Sequence, residues 1–345
     1  MTLFDDLLIR AKKHPRHIVL AEGEDERVIE GALMAMKVGA ARITLLGREA
    51  QIEAQLKDRN VPDPPPEIID PTSSSLSERF AMDYEALRKH KGVDRASARK
   101  TMENPLYFSA MMVREGLVDG SIGGAVATTA DTVRAAIQVI GLDSRYHLVS
   151  SYFLMLLEEP HHRDHADVMV FADCALVVDP DSEAMAQIAI ASADSANSLV
   201  NLDPRIAMLS FSTSGSASHP MVDKVIEATR FAREKRPDLM IEGEVQLDAA
   251  LVPEISARKV RHSAVNGSAN VLIFPNLESA NIGYKMAERL GKAKAIGPIL
   301  QGLARPTNDL SRGCTADDVF RLIVITCIQA QQNPNVLSGT DPSTL

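Results

Sequence analysis

Residues 16–47 read RHIVLAEGEDERVIEGALMAMKVGAARITLLG, and this stretch decides the fold class. Residues 18–21 form a short apolar run of the kind a buried strand needs. Asp25 and Glu26 follow, and acids suit the positive end of a helix. Val28, Ile29, Ala32, Leu33 and Met36 then recur at helical spacing as one apolar stripe. Gly39 fits the residue that closes a helix, and residues 43–46 supply the next strand. Strand, helix, strand is a βαβ unit, which implies a parallel sheet with helices packed on it.

The same alternation runs outward along the chain. PDPPPEIIDPTSSS (62–75) breaks regular structure and reads as a surface loop, with strand-like Ile68 and Ile69 inside it. GLVDGSIGGAVATTADTVRAAIQVIG (116–141) reads as a strand, a Gly-rich turn, and a helix capped near Thr128 or Thr129. LVSSYFLMLL (148–157) and DVMVFADCALVV (167–178) read as paired antiparallel strands of a new sheet, so the region around residue 160 marks a domain change. A long helix with an acidic first turn follows (179–200), then strand–loop–helix units beginning near residues 206, 239 and 269. AIGPILQGL (295–303) leads into NDLSRGCTADD (308–318) and a last apolar helix, and the tail from residue 333 is expected to be mobile. The expected architecture is two three-layer α/β domains: residues 1–147 with 302–345, and residues 148–301.

Composition narrows the function. At 345 residues the chain exceeds one ordinary core. Aromatics are only 4% and Trp is absent, which argues against stacking platforms for single-stranded nucleic acid. A formal net charge of −9 argues against a general polyanion binder, so an anionic ligand must be met by a local basic cluster. Cys174, Cys314 and Cys327 show no metal or disulfide spacing and suggest reduced thiols in a cytoplasmic protein. MTLFDDLLIRAKKHP lacks a signal peptide's basic start and apolar run, and no segment is long and apolar enough to suggest a membrane span.

Four segments carry chemistry. In NDLSRGCTADD, Thr315 and Asp318 fit a capping box, while Ser311 and Arg312 stand just before the helix. A guanidinium beside a helix N-terminus concentrates positive charge, which a phosphate requires. LRKHKGVDRASARK (87–100) holds six Lys or Arg against one Asp. Most of these read as a solvated helix face, with Arg88 the candidate for a phosphorylated ligand. GGAVATTADTVR, with Thr128, Thr129 and Arg134, and SFSTSGSASH, with Ser212, Thr213, Gly215 and Ser216, are turns that would offer backbone N–H groups to an anion. Neither is a GxGxxG or Walker pattern, so nucleotide binding is not implied. His161, His162 and His165 with Glu158, Glu159 and Asp164 follow no zinc spacing and read as a polar hairpin loop. Cys314 has no neighbouring His to activate it and reads as a neighbour in the site.

These residues carry a likeness. IFPNLESANIGYK, with Asn281, GPILQGLARPTNDLSRGC, GEVQLDAALVPEI, SFSTSGSASHP and GGAVATTADTVR together resemble the phosphate acetyltransferases, and the likeness runs from IVLAEGEDER to TCIQAQ. The resemblance implies a two-domain α/β fold related to isocitrate and isopropylmalate dehydrogenases, with an active site in an interdomain cleft and a homodimeric assembly. It implies reversible transfer of acetyl between acetyl phosphate and coenzyme A, with coenzyme A as substrate and no metal, flavin or nicotinamide cofactor. Asp318 matches the base for the thiol, Ser311 the hydroxyl that stabilises the transition state, and Arg312 a substrate-binding arginine. Arg88 and Arg134 match arginines for the phosphate end. Thr128, Thr129, Ser212, Thr213, Gly215, Ser216, Asn281 and Cys314 complete the expected substrate-binding set. This chain departs from the usual pattern at Gly123-Gly124-Ala125, at Ala127, and at Ser214, where many members have Lys; these positions bear on acyl preference and coenzyme A affinity.

Three rivals remain open at this point. A phosphate butyryltransferase would share the chemistry on a longer acyl chain. A silent acetyl-CoA-sensing domain would share the AEGEDER start but has no need of Ser311, Arg312 and Asp318. A dehydrogenase of the related fold would need metal-binding aspartates and a nicotinamide site, and neither pattern is found.

Overall fold

The structure, a computed structural model, describes residues 2–157 and 168–332. The tail from residue 333 and the polar loop with Glu158, Glu159, His161, His162, Asp164 and His165 lie outside the described residues. The strands, in chain order, are β1 (Arg16–Leu20), β2 (Ala41–Leu46), β3 (Glu67–Ile69), β4 (Gly120–Gly123), β5 (Ser150–Leu156), β6 (Val168–Ala172), β7 (Arg205–Leu209), β8 (Met240–Val245), β9 (Val271–Ile273), β10 (Lys294–Gln301) and β11 (Thr307–Asp309). The chain folds as two compact units, one built from residues up to Asp143 and from Leu303 onward, the other from Ser144 to Gly302. No helix among the described residues is long and apolar enough to cross a membrane.

The first unit is built on a parallel sheet in the order β11-β4-β1-β2-β3. Asp25 caps the helix Glu26–Lys37 by accepting the Arg27 N–H at 2.9 Å. Val28, Ile29, Ala32 and Leu33 are buried as the stripe requires, while Met36 is only half-buried. Gly31 belongs to the same face for a reason periodicity does not reveal. A Cβ there would approach the Val319 Cβ to 2.6 Å, so its absence lets this helix lie against the helix Ala316–Gln332. The interrupted PDPPP segment ends in β3 at the sheet edge, paired with β2. On the other face the core gathers Val19, Leu46, Phe80, Tyr84, Met102, Phe108 and Met111.

The second unit carries a mixed sheet in the order β10-β5-β6-β9-β7-β8. β5 runs antiparallel to β6, with Tyr152 opposite Ala172 and Leu156 opposite Val168. β6 is shorter than the apolar run to Val178 suggests. The Asp173 carboxyl accepts N–H groups of Ala175, Leu176 and Val177 at 2.9–3.1 Å, turning the chain around itself. AIGPILQGL is itself a strand: β10 pairs antiparallel with β5 at the sheet edge. Its register shifts between Ile296 and Ile299, where Pro298 has no N–H to offer. Phe153, Met155, Phe171, Leu209 and Leu272 lead the core of this unit.

Candidate active site

β11 and β4 run parallel, with Asp309 opposite Gly123, so both strands end at the same edge of the first sheet. The Leu310 N–H extends the pairing by donating to the Gly123 carbonyl at 2.7 Å. Asn308 ties β11 to the last helix, donating to Thr326 Oγ1 at 2.9 Å and Gln329 Oε1 at 2.6 Å. Past the strand, Ser311 and Arg312 are exposed, and among the described residues the Ser311 Oγ accepts only the Gly313 N–H, at 3.3 Å. Asp318 forms the capping box: its Oδ2 accepts the Thr315 N–H and hydroxyl, both at 2.8 Å, and its own N–H donates to Thr315 Oγ1 at 3.2 Å. Cys314 is buried, and burial pushes its thiol up, with Arg27 nearby opposing. A thiol kept protonated is a poor nucleophile, which fits a packing role.

Arg27 is the residue that sequence reasoning missed here. Its guanidinium is held by the Asp25 carboxylate at 2.8 and 3.0 Å. From there it donates to the carbonyls of Arg312 at 2.7 Å, Cys314 at 3.1 Å and Ala125 at 2.8 Å. One side chain thus ties the start of the Glu26 helix, the Gly-rich turn and the Ser311–Asp318 segment together. The signal in GEDER was present, but as a helix-start arginine it reads only as a solvated charge.

The expectation that the Gly-rich turn offers amides to an anion needs correction. The Glu22 carboxylate already accepts the N–H groups of Ala125, Val126 and Ala127 at 2.6, 3.1 and 2.7 Å. Thr128 caps the helix Thr129–Val139 through Asp131, and Thr129 donates to Asp309 Oδ2 at 2.5 Å. A pocket of about 360 Å³ lies beside this turn, walled by Glu22, Glu24, Asp25, Leu46, Leu106 and Val126. Its lining contains no Lys or Arg, so a phosphate is poorly served there.

Positive charge collects elsewhere in the same unit. Half of the basic run is spent internally: Arg95 and Arg99 pair with Glu78 at 3.0 and 2.7 Å, Arg95 also with Glu85 at 2.6 Å, and Lys100 with Glu103 at 2.6 Å. Arg88 is different, because its Nε is buried without a hydrogen-bond partner among the described residues. Arg134 pairs with Asp131 at 2.6 Å and stays largely exposed. Burial raises the Tyr107 phenol, while the nearby Arg134 and Arg88 pull it down, so both guanidinium groups act on one ring. Tyr107 and Tyr84 both donate to Gln138 Oε1, at 3.3 and 2.8 Å. Arg88 and Arg134 thus both bear on the Tyr107 phenol, and Ser311, Arg312, Cys314 and Asp318 share the one segment whose backbone Arg27 holds.

The second unit holds the remaining candidates. Its turn after β7 is also filled from within, a second correction to the anion-site expectation. Buried Glu244 accepts the Gly215 N–H at 2.7 Å and the Ser212 hydroxyl at 3.0 Å. Ser216 Oγ accepts the Thr213 N–H at 3.0 Å, and Thr213 Oγ1 accepts the Gln246 N–H at 2.9 Å. Ser214 sits exposed at the tip, at a left-handed φ of 48°. Asn281 donates to the Cys174 carbonyl at 3.2 Å and steadies the turn after β6.

This chain matches the family model described as Phosphate acetyl/butaryl transferase over residues 2–327. It is 44% identical over 332 residues to the phosphate acetyltransferase of Clostridium acetobutylicum, covering 96% of this chain and 99% of that one. The phosphate acetyltransferase of Acetivibrio thermocellus is 45% identical over 331 residues, with 96% and 99% covered. A solved phosphotransacetylase from Streptococcus pyogenes superposes with a TM-score of 0.90 at 42% identity, covering 96% of this chain and 99% of that chain. The chain belongs to the phosphate acetyl/butyryl transferase family.

Proposed function

We propose that the chain is a phosphate acetyltransferase, interconverting acetyl phosphate plus coenzyme A with acetyl-CoA plus phosphate. The observation that carries this reading is the single segment presenting Ser311, Arg312 and Asp318 at an exposed helix start, in a chain 44% identical to a phosphate acetyltransferase. Asp318 takes the proton of the coenzyme A thiol; Oδ2 is engaged by Thr315, and Oδ1, with no hydrogen-bond partner among the described residues, is the oxygen for this. A thiol of pKa about 8.5 is mostly protonated at pH 7, so a positioned base raises the thiolate fraction. The sulfur attacks the acetyl carbonyl, and Ser311 donates to the oxyanion that forms. The C–O bond then breaks, and phosphate leaves with its electron pair while arginines hold its charge. A homodimer in the cytoplasm accompanies this reading on the strength of the family likeness. Purified protein with acetyl phosphate and coenzyme A is expected to form acetyl-CoA in the presence of EDTA; acetyl-CoA binding without turnover on any acyl phosphate would favour a sensor instead.

On this reading Arg88 and Arg134 hold the phosphoryl end of the substrate. Arg88→Ala and Arg134→Ala are each expected to raise the KM for acetyl phosphate and for phosphate by about tenfold or more, with a smaller change for coenzyme A. Varying each substrate separately checks it, and equal damage to all substrates would count against the assignment.

A further inference from the structure

Asp309 ends β11 with no exposed surface, and the reaction as derived above makes no use of it. Its Oδ2 accepts the Thr129 hydroxyl at 2.5 Å. Its Oδ1 is buried and meets no hydrogen-bond partner among the described residues. The Thr132 hydroxyl lies beside the carboxyl and favours its charge, yet it is directed at the Thr128 carbonyl, 3.3 Å away. Gly124 packs on the same oxygen, and any Cβ there would collide with Oδ1. Gly124 also has a φ of 97°, so both its lack of a side chain and its backbone conformation are required. A carboxyl in such surroundings is costly, and a neutral side chain would fill the space at less cost. Its presence at the strand end that feeds Ser311 calls for a use.

We propose that Asp309 is a positioning residue for acyl transfer: by holding the Thr129 hydroxyl on one oxygen, with Gly124 packed against the other, it fixes the Gly-rich turn and the start of the Thr129 helix against the strand that carries Ser311. The proposal rests on the acyl-transfer reading. A carboxylate accepts a stronger hydrogen bond than a neutral group, so the hold is tightest when Asp309 is ionised. Burial raises its pKa to about 6; the Thr129 and Thr132 hydroxyls from the helix oppose the rise, and the Glu22 carboxylate from the turn after β1 adds to it. As pH falls through about 6 the carboxyl takes up a proton and the hold weakens.

The test measures kcat at saturating substrates between pH 5.5 and 8 for wild type, Asp309→Asn, Thr129→Val, Thr129→Ser and the Asn/Val double variant. Asp309→Asn and Thr129→Val are each expected to lower kcat about tenfold, with the double variant no worse than either single one. Thr129→Ser, which keeps the hydroxyl, should lose clearly less turnover than Thr129→Val. Wild type should show an acid limb near pH 6 that Asp309→Asn lacks; comparing the two under the same substrates removes the substrates' own ionisation. Asp309→Asn should also keep or raise its melting temperature above pH 6, since a buried carboxylate with a raised pKa costs stability once ionised. A wild-type kcat in Asp309→Asn, losses that multiply in the double variant, or an unchanged acid limb would each overturn the proposal. Wild-type protein without turnover would instead sink the acyl-transfer reading, and this inference with it. Thr129 is only half-buried, so its variants decide the matter if Asp309→Asn fails to fold.

Discussion

Asp318→Asn is expected to slow acetyl transfer by roughly 10²–10⁴-fold at pH 7 in a protein that stays folded. The capping box gives a second reason for the residue to be there, and the two reasons predict different losses. As a cap, Asp318 receives the Thr315 N–H and hydroxyl on one oxygen, and Asn retains an oxygen for both. The loss of a cap costs at most about 0.5–2 kcal/mol and leaves turnover per folded molecule intact. As the base for the thiol, Asp318 is irreplaceable near neutrality but dispensable once the thiol ionises unaided. The deficit should therefore shrink as pH rises toward 9. Melting temperatures and pH–rate profiles of wild type and variant separate the roles; near-normal turnover at pH 7 would leave Asp318 as a cap alone.

Ser311→Ala is expected to lower kcat by about 10²–10³-fold, the usual cost of losing one donor to a developing oxyanion. Among the described residues its hydroxyl makes one hydrogen bond, a 3.3 Å acceptance from the Gly313 N–H on an exposed segment, so thermal stability should be unchanged. The loss should fall on kcat and on kcat/KM alike, because the interaction forms only in the transition state. A rise in KM alone, with kcat preserved, would make Ser311 a ground-state contact and falsify the oxyanion role.

The βαβ unit at residues 16–47 was legible because its spacing, cap and helix-closing glycine agree at every level. β10 was not, because Gly297 and Pro298 interrupt its apolar run, and an edge strand tolerates what a central one does not. In the site, the helix start at Thr315 and Asp318 could be read from residue types, since a capping box is a local pattern. The fate of the two turns expected to bind an anion could not. Glu22 and Glu244 reach the amides of segments more than a hundred and nearly thirty residues away in sequence, and no local pattern reports such a bond. Asp309 escaped notice for the same reason. Its neighbours Gly124 and Thr129 belong to another strand–helix unit, and only the fold brings them under it.

Glu22 and Glu244 have one more consequence, for how the protein should respond to its solvent. Amides in a closed turn bind an anion in a recess where dissolved ions screen little. Here those amides are occupied by the chain's own carboxylates. On the proposed reading the phosphoryl group is then left to guanidinium groups, and Arg134 is 54% exposed. Charges facing water are screened over about 8 Å at physiological ionic strength and about 3 Å at 1 M. The KM for phosphate should accordingly climb with added salt, and it should climb less steeply when Arg134 is replaced by Ala. Affinity for the substrate's charge would be a property that the ionic composition of the surroundings can tune.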